Sequence, residues 1–139
     1  MKKTCYIIDA CALIALINRE PGYEVVRELL KKAEAGSVNV YMHIVNLCEV
    51  YYDCLRSSGT KVADALLKTI ECMPLTIVDR IDVTLLKETG KIKASEKVSL
   101  ADAFAVGLAV TLHAQLVTSD HHEFESLETK GIVRILWFR

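Results

Sequence analysis

Two hydrophobic periods alternate along this chain. Short, β-branched apolar runs predict strands over Thr4–Ile8, Ser37–Met42, Leu75–Val78, Gln115–Thr118 and Ile132–Leu136. Between them, apolar residues recur at three- and four-residue spacing. They predict helices over Ala10–Asn18, Tyr23–Ala35, His43–Ser57, Thr60–Cys72, about Ile81–Ile92, Ser99–His113 and His121–Leu127. The punctuation agrees: Pro21-Gly22 parts the first two helices, Gly36 is placed to cap the second, Ser58-Gly59 parts the third from the fourth, and Pro74 precedes the third strand. The order βααβααβααβαβ implies an α/β fold, with a mainly parallel central sheet flanked by helices on both faces. No repeat, low-complexity tract or linker interrupts the pattern. With 139 residues, one domain over 1–139 is expected, since either half alone would lack a sizeable core.

Composition narrows the class without reaching chemistry. Hydrophobic residues make up 52%, with only 6 Gly and 2 Pro, which excludes disordered and collagenous chains. The 17 Lys and Arg nearly balance 18 Asp and Glu, for a net charge of −1. That excludes a basic coat for DNA, but not a nucleic acid held by a local patch. Met1-Lys2-Lys3 followed by Cys5-Tyr6-Ile7-Ile8 begins like a signal peptide, yet Asp9 interrupts it. The apolar run Ala10–Ile17 is shorter than the roughly 20 residues a membrane span needs. The five cysteines are odd in number and lack a C-x-x-C pair. Reduced, mostly buried thiols and a cytoplasmic protein are therefore expected.

In open parallel sheets, ligands bind beyond the carboxyl ends of the strands. Asp9 directly follows the first strand, and Asp120 follows the fourth in Val117-Thr118-Ser119-Asp120. Glu49 lies on the helix after the second strand, and Asp102 near the start of an Ala-rich helix. Each acid has an ordinary alternative use. Asp9 can cap the first helix, and Ser99 with Asp102, like Asp120 with Glu123, has capping-box spacing. Glu49 is harder to explain, because Val45 and Tyr52 place it in a largely apolar stripe. A carboxylate there must pair with Lys or Arg, hydrogen-bond, or hold a metal. Four acids at one sheet end repel one another, and a hard divalent cation relieves that repulsion. Carboxylates completed by water suit Mg²⁺ or Mn²⁺. Asn46, about one turn before Glu49, can ligate, orient a carboxylate or bind substrate. Thr118 and Ser119 add hydroxyls beside Asp120, where they can equally satisfy backbone groups.

The segments Ile7-Ile8-Asp9-Ala10-Cys11-Ala12-Leu13-Ile14, Asn46-Leu47-Cys48-Glu49-Val50, Leu100-Ala101-Asp102-Ala103 and Leu116-Val117-Thr118-Ser119-Asp120 with Glu123-Phe124 together resemble the PIN-domain family of metal-dependent ribonucleases, in particular the VapC-type toxins of toxin–antitoxin pairs. No single segment is specific; the four in order span nearly the whole chain. The resemblance implies a PIN-like domain and an endoribonuclease using Mg²⁺ or Mn²⁺, leaving 5′-phosphate and 3′-hydroxyl ends. It implies Asp9, Glu49, Asp102 and Asp120 as the catalytic and metal-binding acids. Asn46 and Thr118 would support them, with Glu123 a further acidic neighbour. A homodimer and an inhibitory antitoxin reaching the active site are implied as partners. One departure stands out: the family often has Ser or Thr two residues after the first Asp, and here Cys11 replaces it. A thiol hydrogen-bonds weakly, so tuned or reduced activity is expected.

A slightly acidic chain must hold RNA with local bases, for which Arg19, Lys91 and Lys93 are candidates beside Lys97, His121 and His122. Each of these has a plain alternative as solvated surface or helix-end residue. The apolar Val133–Arg139 segment predicts an edge strand packed on the core, or an oligomer contact. Tyr51-Tyr52 and the Asn18–Glu28 region could equally serve an interface. Two other readings compete. A phospho-accepting receiver domain would use Asp79 as acceptor but leaves Glu49 and Asp102 without a role. A PIN fold serving only as a binding module is favoured by Cys11 and opposed by the intact acids.

Overall fold

The pleat of β1 (Thr4–Ile8) sends Ile7 and Ile8 to opposite faces of a sheet, and both are fully buried. That one pair already requires layers on both sides. The computed structural model, which describes residues 2–139, supplies them. Strands β2 (Val38–His43), β3 (Thr76–Val78), β4 (Gln115–Thr118) and β5 (Ile135–Trp137) join β1 in the order β3-β2-β1-β4-β5, every pair parallel. Helices α1 (Ala10–Asn18), α2 (Tyr23–Glu34), α3 (Ile44–Ser58), α4 (Thr60–Glu71), α5 (Val83–Ser95), α6 (Leu100–Thr111) and α7 (His121–Thr129) fill the crossovers.

Parallel strands buried on both faces read as continuous apolar runs, and these do. Ile8, Met42 and Val117 face one core with Leu13, Val26 and Leu30 from α1 and α2 and Ile70 from α4. Ile7 and Leu116 face the other, with Leu85 and Ile92 from α5, Phe104 and Leu108 from α6 and Phe124 from α7. The chain grows from β1 to β2 and β3 on one side, then returns to β4 and β5 on the other. The switch point therefore lies between β1 and β4. Receiver-like domains have their first strand between the second and third, so this strand order excludes that reading.

Boundaries differ from the sequence expectation where side chains or loops claim backbone groups. His43 ends β2 and caps α3, its Nδ1 accepting the Val45 N–H. The helix after β3 starts at Val83 because Asp82 caps it through the Leu85 N–H. Strand β5 starts three residues later than expected, because the Ile132 N–H closes the end of α7 on the Leu127 carbonyl. The apolar Val133–Arg139 segment is an edge strand packed on the core, with Phe138 buried. The cysteines are free, as expected, but not mostly buried: Cys48 and Cys72 are exposed and Cys5, Cys11 and Cys54 half-buried.

Helices α5 and α6 pack closely because Gly107 presents no side chain. A Cβ there would strike the buried Thr89 hydroxyl and lie 3.2 Å from the Thr89 amide nitrogen. Overpacking of this kind typically costs about 1–3 kcal/mol. Gly107→Ala should lower stability by that amount in urea unfolding, and Thr89→Ala in the same chain should restore part of it. Full stability of Gly107→Ala would contradict this packing.

Candidate active site

Asp9 sits where β1 becomes α1, at the carboxyl end of the sheet and beside the switch point. Extended backbone makes it the N-cap, so Oδ1 accepts the Ala12 N–H at 2.8 Å. Oδ2 accepts the Thr118 hydroxyl at 2.6 Å, across from the end of β4. With 3% of its surface exposed, Asp9 has its carboxyl pKa raised to about 7. Burial is the largest cause, countered by those two hydrogen bonds and reinforced by the charges of Asp102 and Asp120.

Thr118 has a second task. Its Oγ1 accepts the Asp120 N–H at 3.1 Å, which sets the start of α7. Asp120 caps that helix, Oδ1 accepting the Glu123 N–H at 3.2 Å. At α6 the cap is Ser99, whose hydroxyl accepts the Asp102 N–H. Burial raises the Asp102 pKa to about 6; Ser99 opposes the rise, and Glu49, Glu123 and Asp120 add to it. Of the acids that sequence reading left open between capping and a site, Asp9 and Asp120 both cap helices.

Glu49 lies in α3, half-buried, with its pKa raised by burial and partly restored by the Tyr52 hydroxyl. The expected apolar stripe is less covered than its sequence implied, since Tyr52 is exposed. Asn46, fully buried, donates through Nδ2 to the Ala101 carbonyl at 2.9 Å. That bond ties α3 to the first turn of α6, and so Glu49 to Asp102. Asp9, Glu49, Asp102, Asp120 and Glu123 are thereby linked in one electrostatic neighbourhood.

The donor set fits a hard divalent cation. Among the described residues, no Lys or Arg pairs with any of these five acids. Asn46 Oδ1 and Glu123 Oε2 are buried with no hydrogen-bond partner among the described residues, and both are acceptors. No three His, Cys, Asp or Glu side chains among the described residues close up as a preformed cage. Mg²⁺ retains several waters and takes few direct carboxylates, so an open acidic cluster suits it better than a closed cage would.

The cations proposed from the sequence have the following places and partners. Arg19 ends α1, nine residues from its start at Ala10 and so roughly 14 Å along the axis. Lys91 pairs with Glu88 at 3.2 Å, and Lys93 donates to the Val98 carbonyl at 2.8 Å. One group at the rim, the Arg139 guanidinium, escaped sequence reading. Ser119 Oγ lies 2.9 Å from Cys11 Sγ and accepts from Arg139 at 3.1 Å. A parallel last strand delivers the residue beyond it to the same sheet end as Asp120, and that topology was the available signal.

The PIN domain family model matches residues 6–130. Among solved structures, the DNA-bound VapBC of Salmonella typhimurium is 21% identical with a TM-score of 0.78, covering 98% of this chain and 99% of that one. VapBC-1 of nontypeable Haemophilus influenzae is 16% identical with a TM-score of 0.72, covering 97% and 98%. VapC20 of Mycobacterium tuberculosis, described as a sarcin–ricin loop cleaving toxin, is 15% identical with a TM-score of 0.63, covering 87% and 94%. At such identities the likeness is one of fold. No curated protein matches the sequence significantly.

The raised Asp9 pKa has a stability consequence of definite sign. Between the ordinary value of 3.8 and about 7 the folded chain holds a proton that the unfolded chain releases. Stability from this group therefore rises as pH falls through that window. Asp9→Asn should stabilise the metal-free protein more at pH 8 than at pH 5, by about 2–3 kcal/mol. Urea unfolding in EDTA at the two pH values checks this; an equal effect at both would contradict a buried, charge-stressed Asp9.

Proposed function

Because this chain belongs to the PIN domain family, we propose that it is a metal-dependent endoribonuclease, the toxin of a VapBC-type pair, acting in the cytoplasm. One observation carries the reading: five carboxylates are coupled at the sheet's carboxyl end with no Lys or Arg among the described residues paired to them. An RNA phosphate would be repelled by such a cluster unless a cation stood between them.

Asp9, Asp102, Glu49 and Asp120 would hold Mg²⁺ or Mn²⁺, with Glu123 as a further acid. Bound there, the ion supplies Lewis-acid charge on the phosphate and a more acidic water. The chain's own contribution is placement. Asp9 is fixed through both carboxylate oxygens, by the Ala12 N–H and the Thr118 hydroxyl. Thr118 sets Asp120 relative to Asp9, and Asn46 sets the Glu49 helix relative to Asp102. A group held this way needs little reorganisation when substrate arrives. The solved relatives include VapBC complexes, and VapC20 is described as cleaving the sarcin–ricin loop. Both support an RNA substrate and an antitoxin partner for this chain; a homodimer is the expected assembly. The binding-module alternative leaves the gathered, unpaired acids without a purpose. No helix among the described residues is long and apolar enough to cross a membrane.

Purified protein should cut RNA with Mg²⁺ or Mn²⁺ and lose all cleavage in EDTA. Asp9→Asn and Asp102→Asn should each reduce the rate by about two orders of magnitude or more, with circular dichroism unchanged. Undiminished cleavage by either variant, or by the EDTA-treated protein, would sink the assignment.

A further inference from the structure

A nuclease of net charge −1 needs a cation where the substrate backbone meets its acidic centre. Arg19 is at the far end of α1, Lys91 is paired with Glu88, and the Lys93 ammonium is spent on a backbone carbonyl. Arg139 stands beside the residue that precedes Asp120. Its guanidinium donates to Ser119 Oγ, the residue between Thr118 and Asp120, and Ser119 in turn touches Cys11, two residues past Asp9.

Arg139 is also held in place. The Phe138 N–H donates to the Thr118 carbonyl, extending the β4–β5 ladder to the last residues. Phe138 is buried, and the Arg139 guanidinium lies 5.5 Å from its ring centre. The His121 ring stacks on Trp137 at 3.9 Å, and its Nε2 donates to the Arg139 carbonyl oxygen at 2.9 Å. On the other side, the loop between α1 and α2 closes against this segment. The Arg139 side chain donates to the Pro21 carbonyl at 3.0 Å. Gly22, at φ +90°, lets the chain pass the Phe138 carbonyl where any Cβ would collide.

The charge is positioned but little neutralised. Among the described residues its one ion-pair partner is Glu20 at 3.7 Å, with both side chains more than a third exposed, and such pairs contribute little. Ser119 and Pro21 are neutral acceptors. A guanidinium so placed keeps donors free for the planar, two-pronged contact that suits a phosphate.

We propose that Arg139 is the substrate-gripping cation of this site, binding an RNA phosphate at the rim of the acidic centre. The inference rests on the nuclease reading above and adds a residue to it. Ser119 and the Pro21 carbonyl act as positioning groups that hold the guanidinium ready.

The test is fluorescence anisotropy of a labelled single-stranded RNA across a salt series with Mg²⁺ present, on the Asp102→Asn background so that the RNA stays intact. Arg139→Gln should weaken binding about ten- to a hundredfold. It should also lower the log–log salt slope by about 0.7, the value for one phosphate contact on single strands. Arg139→Lys keeps the charge, so it should keep the slope and lose only part of the affinity. With Asp102 intact, Arg139→Gln should raise KM for cleavage with kcat nearly unchanged. Equal affinity and slope with and without Arg139 would overturn the proposal, even if the native protein cuts RNA. So would equal loss in both Arg139 variants at an unchanged slope, since that marks a structural clamp. If Arg139→Gln loses affinity and slope as expected while the native protein never cuts RNA, the nuclease reading falls and Arg139 keeps its role.

Discussion

The carboxyl end of this sheet is organised by one hydroxyl. Thr118 Oγ1 donates to Asp9 and accepts from the Asp120 amide, so a single atom fixes the exits of the two strands that flank the switch point. The surrounding sheet makes this possible. Ile8 of β1 is in register with Val117 of β4, which brings the next residue of each strand side by side. A valine has the shape of threonine without the hydroxyl. It would leave a buried carboxylate oxygen without its donor and the Asp120 N–H without its acceptor, each a full desolvation loss. The charge of Asp102 acts on this anchored Asp9, and that of Glu49 acts on Asp102.

The acidic cluster opposes folding, and its cost is visible in the direction of the pKa shifts. Asp9 and Asp102 are both pushed up, with burial ahead of mutual repulsion in each. What limits the cost is economy of function. Asp9 and Asp120 cap helices with one oxygen each, so the local backbone repays part of the desolvation. Each carboxylate still has lone pairs directed away from its cap. The residual stress concentrates where a cation would relieve it.

Much of this was legible in the sequence because it is local or topological. The strand–helix order, the two-faced burial of Ile7-Ile8 and the position of Asp9 and Asp120 at strand ends follow from period and order alone. What escaped depends on packing between distant segments. Nothing local distinguishes His43 as the end of a strand from His43 as the start of a helix; its ring settles this by stacking 4.8 Å from Phe104 and capping the Val45 N–H. The Lys93 contact with the Val98 carbonyl is recognisable only once α5 is closed against the chain that follows it, whereas the Lys91–Glu88 pair is an ordinary i,i+3 helix contact. Arg139 looked like an ordinary final residue, and only the parallel pairing of β5 with β4 carries it to the acids. The cysteines were misjudged for a related reason: a small hydrophobe is usually interior, yet α3 and α4 leave thiol positions facing outward.

Cys11 is where sequence and structure bear on each other most closely. A thiol replaces the hydroxyl often found at this place in the family it resembles, and by itself that would weaken a polar site. The fold brings Ser119 to within 2.9 Å of the same sulfur, so a hydroxyl is present even though the chain supplies it from the residue after β4 and not from α1. The thiol is also kept from becoming a liability. Burial, followed by the charge of Asp9, raises its pKa, while Ser119 and Arg139 only partly oppose this. A thiolate here would add another negative charge to a site that already carries five acids, and would favour soft metals over Mg²⁺. Held protonated, Cys11 adds no charge and only a weak hydrogen-bonding group. The same low dielectric that strains Asp9 therefore keeps its neighbour neutral, and the substitution changes the hydrogen bonding of the site while leaving its electrostatics intact.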